Sequence, residues 1–176
     1  MKSPLLLIGA GRMGGALAKG WIAGGAGPVV AVDSVEERLN VAAGLGAMPV
    51  HLKQSPRDAV KELTGGRGID VAVDAVGHPD ALDLAIRLAR KAGTVVAIGV
   101  YAERCEVHMG LVWIKGLTLK AGPANVIGHV DRVLGMLAAG SLDPTPLVTH
   151  HMALDDAAEA YRIYDRREAL KIVLTP

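Results

Sequence analysis

The stretch Leu5-Leu6-Leu7-Ile8-Gly9-Ala10-Gly11-Arg12-Met13-Gly14 decides the fold. A short apolar run breaks into G-x-G-x-x-G and continues as a small-residue segment through residues 12–24. In a strand–turn–helix unit of this kind, Gly9 permits the tight turn and Gly11 lets a pyrophosphate approach the backbone. Gly14 lets the helix pack closely on the strand. The N-terminus of that helix then offers N–H groups and the positive end of its dipole to phosphate. Arg12 and Met13 lie inside the turn and join the three glycines as candidate cofactor contacts. Glycine turns also occur without a ligand, so the surroundings have to decide.

Downstream, Val29-Val30-Ala31-Val32-Asp33 is a β-branched run ending on a carboxylate. An acidic group at the end of the second strand accepts hydrogen bonds from the adenosine ribose hydroxyls and repels a 2′-phosphate. This favours NAD, with NADP the lesser candidate. The competing reading makes Asp33 a helix-capping residue beside Ser34, which stands three residues before Glu37 in a capping-box pattern. Arg38 could reach a phosphate, stack on adenine or sit on a solvated helix face.

The alternation then repeats. Residues 47–52 read as a third strand. Ser55-Pro56 reads as N-cap and first helical position, and residues 70–75 as a fourth strand. Pro79 opens a helix expected to close at Gly93, followed by a strand over 94–100. Residues 117–121 give a sixth strand and 126–139 a helix stopped by Gly140. Nearly continuous apolar strands, each followed by a helix-length segment, mean βαβ units and a parallel sheet covered on both faces. The fold class is α/β: a doubly wound six-stranded Rossmann sheet of order 3-2-1-4-5-6 over residues 1–146, plus a C-terminal tail over 147–176. In that tail, residues 147–151 and 171–174 are strand candidates flanking a helix.

Ligands in this architecture sit outside the carboxyl ends of the strands. Ala75, Val76 and Gly77 after the fourth strand, and Ile98, Gly99 and Val100 at the fifth, are therefore candidate linings for the dinucleotide. Ordinary strand-to-loop punctuation explains them equally well.

Composition narrows the function classes. With 51% hydrophobic and 21% charged residues, the 176-residue chain is neither disordered nor fibrous. A net charge of +1 gives no basic footprint for nucleic acid. The apolar run at residues 4–10 is too short to cross a membrane, so a cytoplasmic protein without a membrane partner is expected. The single Cys105 rules out an internal disulfide and a multi-cysteine zinc site. His150 and His151 are adjacent, and on a strand would point to opposite faces, which does not chelate a metal. Cys105 has no evident base nearby. Tyr161 and Tyr164 read as packing residues, and neither a carboxylate pair nor a Ser-His-Asp arrangement appears. No catalytic residue and no metal ligand is assigned.

From about Gly27 to Pro176 the sequence resembles the cofactor-binding half of zinc-type medium-chain alcohol dehydrogenases. The resemblance rests on Val29–Asp33 with Glu37-Arg38-Leu39, on Gly68-Ile69-Asp70-Val71 with Asp74-Ala75-Val76-Gly77, and on Gly93 through Val100. Lys115-Gly116-Leu117-Thr118-Leu119 and Lys171 through Pro176 complete it. That family usually has Pro and an aliphatic residue in place of Arg12-Met13. Residues 8–17 with Gly20-Trp21 are instead similar to the start of pyrroline-5-carboxylate reductases. Two families meeting near residues 24–27 imply a chimera, engineered or recombined, with an unusual natural truncation as the alternative.

The resemblance implies NAD as cofactor. It also implies that the zinc ligands and proton relay belong to a catalytic domain outside these residues, so no zinc and no independent turnover are expected. It further implies a homodimer, through the edge strand Leu117–Ala121, through the tail, or both. Three other readings stay open. These are a compact oxidoreductase completing its site by dimerisation, a structural hybrid with no ligand, and a methyl transferase using S-adenosylmethionine.

Overall fold

The computed structural model describes residues 3–145, 148–166, 168–169 and 171–176. Two compact units divide between Ala124 and Asn125. The domain boundary expected from sequence, between residues 146 and 147, lies outside the described residues.

The first unit holds β1 (Leu5–Ile8), α1 (Arg12–Ala23), β2 (Val29–Asp33), α2 (Glu36–Gly44), β3 (Met48–His51) and α3 (Pro56–Thr64). It continues with β4 (Ile69–Asp74), α4 (Pro79–Leu88), β5 (Ala89–Ala97), α5 (Met109–Lys115) and β6 (Thr118–Ala121). The six strands form one parallel sheet of order β3-β2-β1-β4-β5-β6. Period-two alternation sorts the core into two layers. Leu6, Ile8, Val30, Val32, Ala72 and Val95 face one side, packed with Val60 of α3, Ala85 and Ile86 of α4 and Val112 of α5. Leu7, Val29, Ala31 and Val73 face the other, packed with Ala18 of α1 and Ala42 of α2. Both faces are covered, which is why the strands lack polar alternation.

Three local expectations need correction. Ser34 does not cap α2: the N-cap is Val35, with no side-chain cap, and Asp33 Oδ1 accepts the Val35 N–H at 3.0 Å instead. Helix α4 ends at Leu88, not Gly93, because Lys115 Nζ caps it, donating to the carbonyls of Ile86, Arg87 and Ala89 at 3.0, 2.7 and 2.7 Å. The chain then enters β5 directly through an irregularity in register, with Ala92 in the left-handed region at φ 53°. Gly93 fits there because an added Cβ would lie 2.9 Å from the Arg90 carbonyl oxygen. Finally, α5 has no counterpart in the sequence reading; its seven residues are too few to show a helical period.

The second unit comprises α6 (Val126–Ala138), β7 (His150–Ala153), α7 (Ala157–Asp165) and β8 (Ile172–Thr175). The two tail strands pair in parallel with each other, His150 opposite Ile172 and Ala153 opposite Thr175. Helix α7 is the crossover between them and buries Ala160. No helix among the described residues is long and apolar enough to cross a membrane.

Candidate dinucleotide cleft

The chain leaves β1 for β2 on one side and returns to β4 on the other, so a crevice opens between the loops after β1 and β4. Its floor is the glycine turn. Gly9 has φ +92°, and a Cβ on it would stand 2.7 Å from Val76 Cγ2. A Cβ on Gly14 would lie 1.8 Å from the Gly9 carbonyl oxygen. Gly11 is different: the only atom near its hypothetical Cβ is Arg38 Nη1 at 3.9 Å. Gly14 thus holds backbone against backbone and Gly9 sits under the Val76 side chain, while the middle glycine leaves room. Gly11 also starts α1 with no side-chain cap, and no acidic residue occupies the first turn. That is an arrangement in which an anion is favoured.

Asp33 closes the turn from the end of β2. It is 7% exposed; its Oδ2 accepts the Ala10 N–H at 2.8 Å, and Arg38 Nη1 stands 3.7 Å from Oδ1. The carboxylate therefore pins the glycine turn to β2 and also anchors the start of α2. Asp33 thus organises the helix entry without capping α2, and it lines the crevice. Each of its oxygens keeps acceptor capacity for a hydroxyl.

The crevice encloses about 430 Å³. Ile8, Gly9 and Gly11 line it from β1, and Val32, Asp33, Ser34, Arg38 and Leu52 from the β2–β3 side. Ala75, Val76, His78, Asp80, Ala81 and Leu84 line it from the β4–α4 side. Of the residues singled out from sequence, Gly9, Gly11, Asp33, Arg38, Ala75 and Val76 meet here. Gly14 lies beneath, buried in α1, while Arg12 and Met13 are exposed on its first turn and do not line the crevice.

Gly77, Ile98, Gly99 and Val100 lie at the neighbouring strand ends rather than in the lining. A Cβ on Gly99 would stand 2.0 Å from the Gly77 nitrogen, and one on Gly77 2.4 Å from the Val100 carbonyl oxygen. These two glycines are required by the contact between the β4 and β5 loops, before any ligand is considered.

Sequence reasoning missed Leu52, Ser34 and His78 as lining. For His78 a signal existed: Pro79 at the first helical position makes His78 the N-cap, at the edge where ligands sit, and its Nδ1 accepts the Asp80 N–H at 3.2 Å. Leu52 follows β3 and carries no motif. Among the described residues no three of His, Cys, Asp or Glu converge as a metal site, so these residues do not fit a zinc ion.

The model of the family described as "Zinc-binding dehydrogenase" matches residues 9–129. Curated relatives include an alcohol dehydrogenase of Cupriavidus necator, 31% identical over 160 residues, covering 86% of this chain and 43% of that protein. Another is an L-threonine 3-dehydrogenase of Bacillus licheniformis, 29% identical over 170 residues, covering 94% and 48%. Among solved structures, alcohol dehydrogenase TADH from Thermus sp. ATN1 superposes with a TM-score of 0.85 at 36% identity, over 99% of this chain and 51% of that one. A short chain alcohol dehydrogenase (rspB) from E. coli CFT073, complexed with cofactor NADH, shares the fold at 24% identity and TM-score 0.80, over 99% and 52%. The chain spans about half the length of the relatives it matches.

These matches also correct the two-family reading. The family match starts at Gly9 and runs through residues 24–27 without a break, and the TADH superposition takes in the same segment. The Arg12-Met13 departure is a local variation at two exposed positions of α1. Nothing supports a pyrroline-5-carboxylate reductase segment or a chimera. The chain belongs to the zinc-binding dehydrogenase family.

Proposed function

We propose that this chain is the NAD-binding half of an alcohol dehydrogenase-like oxidoreductase. The observation that carries the reading is the crevice at the switch point. Gly9 there has a positive φ, Gly14 is packed too closely for any side chain, Gly11 is left open, and Asp33 is held at the rim. The pyrophosphate lies over Gly11 and the start of α1, with the adenosine ribose on Asp33. The adenine base occupies the space between Arg38, Leu52 and His78. The nicotinamide half extends toward Ala75–Gly77 and Ile98–Val100. When bound, the cofactor supplies hydride exchange with a substrate.

The Asp33 carboxylate supports NAD over NADP, since a 2′-phosphate there would meet a buried negative charge. Arg38 offsets part of that charge from 3.7 Å. Calorimetric titration with NAD and NADP tests the assignment. Saturable binding of one NAD per chain is expected, with NADP weaker by at least about tenfold, or about 1.4 kcal/mol. Asp33→Asn keeps an oxygen for the Ala10 N–H while removing the charge, so the NAD preference should shrink. An unchanged preference would refute the role of Asp33, and absence of saturable NAD binding would refute the function.

The edge strand β6 supports a homodimer as the working assembly. All four of its residues are exposed, as are Trp113 and Ile114 on the preceding helix. An open sheet edge beside exposed apolar side chains favours pairing with a second copy.

A further inference from the structure

Asp74 is the one acidic residue in the first unit that is wholly buried, at 0% exposure. It ends β4, and three donors converge on it. The Val76 N–H donates to Oδ1 at 2.8 Å, the Gly77 N–H reaches both oxygens at 3.3 Å, and the Tyr101 hydroxyl donates to Oδ2. Its own carbonyl accepts the N–H groups of Ile98 and Gly99 at 2.9 and 3.0 Å. One residue therefore ties together the loop after β4 and the loop after β5, the two loops whose glycines touch.

Tyr101 is the only side chain in this cluster that belongs to neither loop's tight turn. It packs against the core beside Cys105, Val107 and Leu111, and so anchors the irregular segment 101–108. Burial and the Asp74 carboxylate hold its phenol protonated well above the usual range, which keeps the donor present at any physiological pH.

Building on the dinucleotide reading, we infer that Tyr101 is a positioning residue for the nicotinamide half of the cofactor, acting through Asp74. The adenosine half rests on β1–β3, where Asp33 and Arg38 organise the crevice and Tyr101 is not part of the lining. The other half rests on β4–β6, where the Gly77–Gly99 contact sets the surface the nicotinamide meets. Loss of the hydroxyl leaves the backbone N–H bonds to the carboxylate and the carbonyl of Asp74 intact, and it releases segment 101–108 from the end of β4. The cost falls on one half of the ligand only.

Tyr101→Phe separates the halves. NADH binding, read by nicotinamide fluorescence, should weaken about tenfold, the lower end of what one hydrogen bond to a charged group contributes. ADP-ribose, which lacks the nicotinamide, should bind within about twofold of the unaltered chain by calorimetry. Asp74→Asn keeps acceptor oxygen for both loops but weakens the Tyr101 bond. It should move NADH in the same direction with ADP-ribose unmoved, and it carries the test if the first variant folds poorly. NADH affinity unchanged from the unaltered chain in both variants would overturn the inference, as would an equal loss for the two ligands, which marks general loosening. If the unaltered chain binds neither ligand, the nucleotide reading itself has failed, a result distinct from either of those.

Discussion

Gly14 and Gly20 both lie on α1, and Ala at each should have opposite consequences. At Gly14 the new Cβ would be 1.8 Å from the Gly9 carbonyl oxygen and 3.0 Å from the Gly9 carbonyl carbon, whereas ordinary contact begins near 3.4 Å. The obstacle is backbone at a turn that Val32 and Asp33 already hold, since the Gly9 N–H donates to the Val32 carbonyl and the Ala10 N–H to Asp33. Either the start of α1 moves off the sheet by roughly 1.5 Å or the turn opens. We expect a cost near the upper end for overpacking, about 3 kcal/mol. At Gly20 a Cβ meets nothing within 4 Å, and Ala in a helix interior should stabilise by about 0.5–1 kcal/mol.

The assay follows from the two tryptophans, Trp21 and Trp113, both of which lie in the first unit. Urea unfolding read by tryptophan emission therefore reports that unit. At a slope of about 2–3 kcal/mol per molar, the two variants should differ in midpoint by roughly 1.5 M. Gly14→Ala should also weaken NAD binding at least tenfold, because the turn can no longer sit under the pyrophosphate. Equal midpoints for the two variants would refute the close-packing argument for the glycine turn.

Other expectations are more local. Lys115→Met removes the donor that three carbonyls at the end of α4 share. Chemical denaturation should show a loss of about 2 kcal/mol with NAD affinity kept, because the site is remote. Asp70 is held down to about 2, chiefly by its hydrogen bond from Arg67, with Arg90 assisting against burial. A folded-state value below the unfolded one means its stabilisation is present above about pH 4 and is lost as pH falls toward 2. The half-exposed Arg67 limits that contribution to about 1–2 kcal/mol, and Asp70→Asn should flatten this step in an acid unfolding series. Light scattering should give a mass near twice 18.2 kDa, and Leu119→Lys on the β6 edge should shift it toward one chain. A single-chain mass for the unaltered protein would count against the dimer.

Much of the fold was legible because apolar runs and glycine stops repeat in a fixed order. Val29–Asp33 coincides with β2, Ser55-Pro56 starts α3, and the strand order follows from the βαβ pattern. What escaped depends on contacts distant in sequence. The end of α4 is set by Lys115, more than two dozen residues away, and no local signal near Leu88 announces it. Helix α5 is too short to carry a period. At the site, the glycine turn and Asp33 were legible because a tight strand-to-helix turn and a strand-end acceptor each demand a particular residue type. Leu52 and Leu84 were not, because an apolar wall can be made from any aliphatic side chain that arrives there. Gly77 and Gly99 were found, but as candidate ligand contacts; their hypothetical Cβ atoms show that the two loops themselves require them.

If the crevice between the β1 and β4 loops holds NAD, amide chemical shifts recorded during a titration with NAD should show it. Saturable, concerted shifts are expected at residues 9–14, at Asp33 and at residues 75–77, while the unit from 125 to 176 stays still. Saturation with no movement in the glycine turn, or with the largest shifts among residues 148–176, would contradict it.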